Sequence, residues 1–144
     1  MKKYLFLMLM FISTSLLAAD QWPIGKWNML DDFTESPEAI IQISALKAGG
    51  FEGKIIEVFP APDDDPVDVC KPCVGLDKNK PIIGLVVFKQ LKFNAKKELV
   101  GRVLDPDSGK IYNCQLRPLP NNRIELHVIV NRLISQDRYL SLAK

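Results

Sequence analysis

The feature that most constrains this chain is the period of its hydrophobic residues. Apolar side chains recur at every second position in Ile41, Ile43 and Ala45, in Tyr112, Cys114 and Leu116, and in Ile124, Leu126, Val128 and Val130, with polar residues between most of them. Successive side chains of a strand point to opposite faces, so this period turns one face toward a core and the other toward water. No window of about 11 residues carries the stripe of an amphipathic helix. The class that follows is all-β.

Turn chemistry divides the chain into short strands. Trp27-Asn28-Met29 opens the first after Gly25, and Ile41 to Ala45 carries the second. After Gly49-Gly50, residues Phe51, Gly53, Ile55, Glu57 and Phe59 share one face of a third, which Pro60 ends because proline cannot donate to a ladder. Ile82 to Phe88 is a nearly continuous apolar run and reads as a strand covered on both faces. Leu99, Gly101 and Val103 carry a fifth strand into the turn Asp105-Pro106-Asp107-Ser108-Gly109. Strands around Tyr112 to Leu116, Ile124 to Val130 and Ser135 to Leu140 complete the set, with Asn121-Asn122 as a turn. A meander of about eight strands must hide its edges, and a small antiparallel up-and-down barrel does so most economically. A two-sheet sandwich is the alternative.

Length and charge narrow the function classes. The chain has 144 residues, with 19 Lys and Arg against 17 Asp and Glu. Residues 1–19 have the layout of a secretory signal peptide: Lys2 and Lys3, an apolar run from Tyr4 to Leu17, then Ala18 and Ala19. Removing it discards two lysines and no acid, so the mature domain, residues 20–144, carries no formal net charge. The run is interrupted by Ser13, Thr14 and Ser15 and is short for a membrane span. The expected product is one exported domain, periplasmic in a two-membrane bacterium, with no transmembrane segment after cleavage and no affinity for nucleic acid.

The segment from Pro60 to Pro81 is the longest irregular stretch and holds Cys70-Lys71-Pro72-Cys73. In a thiol oxidoreductase a C-x-x-C pair works through a stabilised thiolate at a helix N-terminus, whereas here it sits in a proline-rich loop with no βαβ pattern around it. A structural disulfide between Cys70 and Cys73 is the favoured reading, with redox catalysis and zinc as the alternatives. Zinc needs about four ligands, and only Cys114 and His127 remain to join the pair. Cys114 lies on the apolar face of its strand and reads as a buried free thiol. Asp63, Asp64, Asp65 and Asp68 lack the alternation and the turn glycine of an EF-hand calcium loop. His127 falls on a polar strand face and reads as a surface histidine, with no nucleophile marked for it. Neither a metal site, a cofactor nor a catalytic constellation is indicated.

Five separated motifs occur together: G-K-W (Gly25 to Trp27), F-E-G-K-I-I-E-V-F (Phe51 to Phe59), C-K-P-C (Cys70 to Cys73), K-N-K-P-I-I-G-L (Lys78 to Leu85) and G-R-V-L-D-P-D-S-G-K-I-Y-N-C (Gly101 to Cys114). In this combination and order the chain resembles the bacterial exported proteins grouped as domain of unknown function 2147, from about Gly25 to about Leu119. The chain departs from that family's pattern at Glu35-Ser36, where a Thr-Gly turn is usual, and at Ser135 to Tyr139, where a Gly/Arg-containing strand and a Trp are usual. The resemblance implies a secreted, lipocalin-like barrel and no established activity. G-x-W also resembles the lipocalin opening, in which the Trp packs across the barrel floor beneath an Arg of the last strand. Trp27 matches that Trp, and Arg138 is the candidate partner.

Two binding functions and one enzymatic function follow as expectations. The barrel holds a small apolar or amphipathic ligand, if its interior leaves room, or its open end grips one. Alternatively, the protein is an envelope structural or interaction module that meets a protein partner through the 60–81 loop. Phe59, Lys78, Asp105 and Tyr112 form the candidate ligand and loop surface. The third reading is a periplasmic thiol redox protein using Cys70 and Cys73.

Overall fold

A computed structural model describes residues 22–144. The expected signal peptide lies outside the described residues. Eight strands follow in chain order: β1 (Gly25–Leu30), β2 (Pro37–Ala45), β3 (Phe51–Val58), β4 (Val86–Phe93), β5 (Leu99–Leu104), β6 (Ile111–Leu119), β7 (Arg123–Ile129) and β8 (Ser135–Leu142). Each pairs antiparallel with the next, and β8 returns to β1, so the sheet closes into a barrel. Closure leaves no unpaired edge, which is the physical reason for preferring it to an open sandwich.

The alternation read from the sequence is the alternation between the barrel's inside and outside. Ile41 and Ile43 of β2, Leu116 of β6 and Ile124 and Leu126 of β7 are buried, as is Cys114. Phe88, Leu91, Leu99 and Leu140 join them in one apolar cluster, and no polar or charged residue is buried among the described residues. Two glycines let this cluster close. A Cβ on Gly53 would lie 2.5 Å from the Phe88 ring, which rests on the bare backbone of β3. Opposite Gly101, β4 carries an extra residue: Lys89 pairs with Arg102 and Lys92 with Val100, and Gln90 takes a positive φ of 54°. That bulge keeps Phe88 and Leu91 both inward although they are three positions apart.

One expected strand begins later than its apolar run. Pro81 to Leu85 is not strand, because Leu85 N–H turns back to the Ile82 carbonyl at 3.1 Å and Gly84 has a φ of +96°. Ile82 and Leu85 are nevertheless buried while Ile83 is more than half exposed, so the run reports burial at two of its positions and neither extension nor cover on both faces there. Short proline-rich and polar turns join the strands elsewhere. Connections 31–36, 59–85, 105–110 and 130–134 all emerge at one end of the barrel, and 46–50, 94–98 and 120–122 at the other.

Candidate functional site

The end bearing connections 31–36, 59–85, 105–110 and 130–134 is where the chain concentrates its irregular structure. The long connection is folded back on itself by a bridge between Val69 and Pro81, with Cys70 N–H donating to the Lys80 carbonyl at 2.8 Å and Asn79 N–H to the Cys70 carbonyl at 2.9 Å. Cys70 and Cys73 lie at disulfide distance with Cα atoms 5.4 Å apart, and their exposures are 0% and 2%. The Cys70 sulfur rests 3.5 Å from the Pro106 carbonyl oxygen in the β5–β6 turn. Asp77 binds Lys89 of β4 at 2.8 Å and Lys80 at 3.2 Å. The hydrogen bond from Lys89 is the main reason the Asp77 carboxyl is held below its ordinary range. The connection is thus pinned to the barrel at several points.

Two neighbouring turns on this end share a local device. In the β1–β2 turn, Asp31 Oδ1 accepts from the N–H of Phe33 at 3.0 Å and of Thr34 at 2.7 Å. In the β7–β8 turn, Asn131 Oδ1 accepts from the N–H of Leu133 at 2.8 Å and of Ile134 at 2.9 Å. Side-chain acceptors of this kind fix a turn locally and project the residue two positions on. Here the projected residues are Phe33, 94% exposed, and Leu133, 95% exposed. At the opposite end the same device in the β4–β5 turn, with Asn94 Oδ1 accepting from Lys96 N–H at 2.9 Å, projects a lysine.

The exposed apolar residues follow the same division. Phe33, Val67, Val74, Leu76, Ile83, Leu133 and Ile134 are the large hydrophobic side chains that are more than half exposed among the described residues, and all seven lie on three of the four connections of one end, 31–36, 59–85 and 130–134. Those connections hold ten acids (Asp31, Asp32, Glu35, Asp63, Asp64, Asp65, Asp68, Asp77, Asp105, Asp107) against five bases (Lys71, Lys78, Lys80, Lys110, Arg132). The connections of the opposite end hold Lys47, Lys96 and Lys97 against Glu98. A chain of nearly zero net charge is therefore divided into an apolar, acidic end and a polar, basic one.

Beside the acidic end lies a cleft of about 270 Å³ lined by Leu30, Asp31, Asp32, Glu35, Arg123, Gln136, Asp137 and Tyr139. The Arg123 guanidinium stands 5.5 Å from the Tyr139 ring centre and binds Glu35 at 3.2 Å. A second, more open cleft of about 340 Å³ is lined by residues including Leu76, Asp77, Lys80, Lys89 and Arg102. No residue of the core cluster lines either cleft.

The residues singled out from the sequence fall in different places. Trp27 is buried at 6% exposure, with its indole N–H donating to the Pro23 carbonyl at 3.0 Å and the Trp22 ring edge-on at 6.1 Å. Arg138 does not join it. The residue paired with Trp27 across β1 and β8 is Leu142, four positions further along the strand. Arg138 instead donates to the Leu30 carbonyl at 3.1 Å, to Asp32 at 3.2 Å and to Glu38 at 2.6 Å, which ties the β1–β2 turn to β8 at the acidic end. The sequence-based pairing fails because it rests on order along the chain and not on register. Asp105 caps the β5–β6 turn by accepting from Ser108 Oγ at 2.6 Å, Lys78 is exposed on the separate 59–85 connection, and Phe59 donates its N–H to the Glu38 carbonyl at 2.7 Å. Tyr112 is half-buried against the core and does not belong to the loop surface. Phe33 and Leu133 were not among the sequence candidates, although Asp-x-Phe and Asn-x-Leu at strand ends carry the signal.

A closed eight-stranded antiparallel barrel whose longest connections crowd one end defines the lipocalin-like class of small β-barrels. A family model described as "Uncharacterized protein conserved in bacteria (DUF2147)" matches residues 25–139, and the chain belongs to that family. Among solved structures it is similar to one described as "Protein HP1028 from the human pathogen Helicobacter pylori belongs to the lipocalin family". The TM-score is 0.67 at 14% identity, over 84% of this chain and 82% of that one, a likeness of fold. No curated protein matches the sequence.

Proposed function

We propose that the protein is an exported binding module that engages its ligand on the acidic, loop-bearing end of the barrel and not in the barrel's interior. The carrying observation is the confinement of all seven projecting hydrophobic side chains to that end. Exposed apolar clusters rimmed by polar groups mark interaction sites in soluble proteins. The acidic surplus around them selects a ligand with an apolar face and positive charge. The interior supports no comparable reading, because Phe88, Leu91, Leu99, Leu116, Ile124, Leu126 and Leu140 fill it.

Pre-organisation supports the same conclusion. Asp31, Asn131 and the pinned 59–85 connection hold the projecting side chains in place before any ligand arrives, which lowers the ordering cost of binding. Burial of both Cys70 and Cys73 sulfurs supports a structural pair, since an exchanging disulfide must be reachable by an attacking thiolate. Binding, not catalysis, is the reading that the surface supports.

An envelope protein surface and a small amphipathic cation share this chemistry, and one experiment separates them. The mature protein and the variant Phe33→Ser/Leu76→Ser/Leu133→Ser are photo-crosslinked from residue 132 in the source organism's own envelope extract, and parallel samples are examined by native mass spectrometry. A protein crosslink or a small-mass adduct, lost in the variant and weakened in about 0.5 M salt, is the expected result. An adduct that the variant retains undiminished, or no adduct of either kind, overturns the proposal.

A further inference from the structure

On the outer face of β6, β7 and β8 the register assembles a set of side chains that the sequence keeps apart. His127 pairs directly with Asp137 across β7 and β8, and Glu125 lies two residues before His127 on the same face. His127 Nδ1 and Asp137 Oδ1 are 2.5 Å apart. Ligand atoms of Glu125, His127 and Asp137 all lie within 4.8 Å of one another. We propose that Glu125, His127 and Asp137 form a binding site for a divalent transition-metal ion of the zinc type.

The donor set suits that class of ion. One imidazole nitrogen and two carboxylate oxygens are a borderline set, matched to zinc and its neighbours and poor for calcium, which takes six or more oxygens. The three side chains stand on paired strands of a closed barrel, so their spacing is fixed by backbone hydrogen bonds and not by a mobile loop. His127 and Glu125 are half-buried and Asp137 is exposed, which leaves the outer side of the ion to water.

The surrounding groups set how tightly such an ion is held. Opposite His127 on β6 is Gln115, whose amide donates to Glu98 and is thereby turned to another partner. Opposite Glu125 on β6 is Arg117, which donates to Glu125 Oε1 at 2.9 Å. Tyr139, paired with Glu125 on β8, carries the Arg123 guanidinium 5.5 Å from its ring centre, a second cation in the cleft that Asp137 also lines. A bound ion competes with Arg117 for Glu125, so the guanidinium weakens the site. Removing it tightens binding, an outcome that a purely structural Arg117–Glu125 pair does not produce.

The chain is unusually clean for the test. His127 is its one histidine, Cys70 and Cys73 are paired, and Cys114 is buried. Zinc is titrated into the mature, tag-free protein while calorimetry follows stoichiometry and NMR follows the His127 ring protons. The expected result is one ion per chain with movement of the His127 signals. His127→Ala and Asp137→Asn each weaken binding by at least about tenfold, and Arg117→Gln strengthens it. Absence of saturable binding, unmoved His127 signals, or undiminished binding by folded His127→Ala overturns the proposal.

Discussion

Gly109 lies directly beneath Pro72: a Cβ on Gly109 would fall 2.1 Å from the Pro72 carbonyl oxygen and 2.7 Å from the Cys73 nitrogen. Its φ of +70° adds a backbone reason for glycine, because side-chain-bearing residues rarely adopt that region. The β5–β6 turn is therefore the seat on which the 59–85 connection rests. Gly109→Ala is expected to lift the connection from the turn at a cost of about 1–3 kcal/mol. Urea unfolding measures the cost, and hydrogen exchange should show faster exchange at Cys70, Asn79 and Ile82 with the barrel strands still protected. Unchanged exchange at those three amides would refute the seating role.

Joining Cys70 to Cys73 encloses very little chain, with a sequence separation of 3. In the chain-entropy account so short a loop contributes only about 2 kcal/mol. Cys70→Ala/Cys73→Ala is therefore expected to leave a folded barrel of modestly lower stability. Alanine avoids stranding hydroxyls where both sulfurs are buried. Complete loss of cooperative unfolding in this variant would show that the pair organises the whole domain and not one connection.

The fold was legible because a closed barrel has one inside and one outside, and a period of two records that division residue by residue. Leu116, Ile124 and Leu126 are where the alternation puts them. Legibility ends where geometry depends on partners far along the chain. Ile82 and Leu85 are apolar because they join the core cluster, and the turn at Gly84 that ends extension there is a single residue's signal within that run. Arg138 was matched to Trp27 by order, whereas register places it four positions short, beside Asp32 and Glu38. His127 is ten residues from Asp137 in sequence and opposite it in space, so no local spacing announces the cluster.

Cys114 supplies a pH test of the packed interior. Burial pushes its thiol up to about 12 from 9.0. The native state keeps the proton that the unfolded chain releases above pH 9.0, so stability falls as pH rises from about 9 toward 12, by up to about 1.4 kcal/mol per unit. Chemical denaturation across that range is expected to show the slope in the wild type and its reduction in Cys114→Ala. A thiol reagent at pH 8 should label Cys114 only after unfolding, and rapid labelling of the native protein would contradict the packing.

Arg138 is the cation that holds the β1–β2 turn against β8, through Leu30, Asp32 and Glu38 together. Burial disfavours its charge, while the Glu38 and Asp32 carboxylates more than restore it, so the guanidinium stays protonated. Because the group is partly exposed, its loss is expected to cost about 1–2 kcal/mol, between a surface pair and a buried one. Arg138→Ala should accordingly lower the unfolding midpoint and speed exchange at Phe33 and Thr34, whose amides depend on the Asp31 turn. Trp27, whose indole N–H is held by Pro23, should keep its native emission. A red-shifted emission in the folded variant would mean that Arg138 and Trp27 are coupled after all, and that the two ends of the barrel do not act independently.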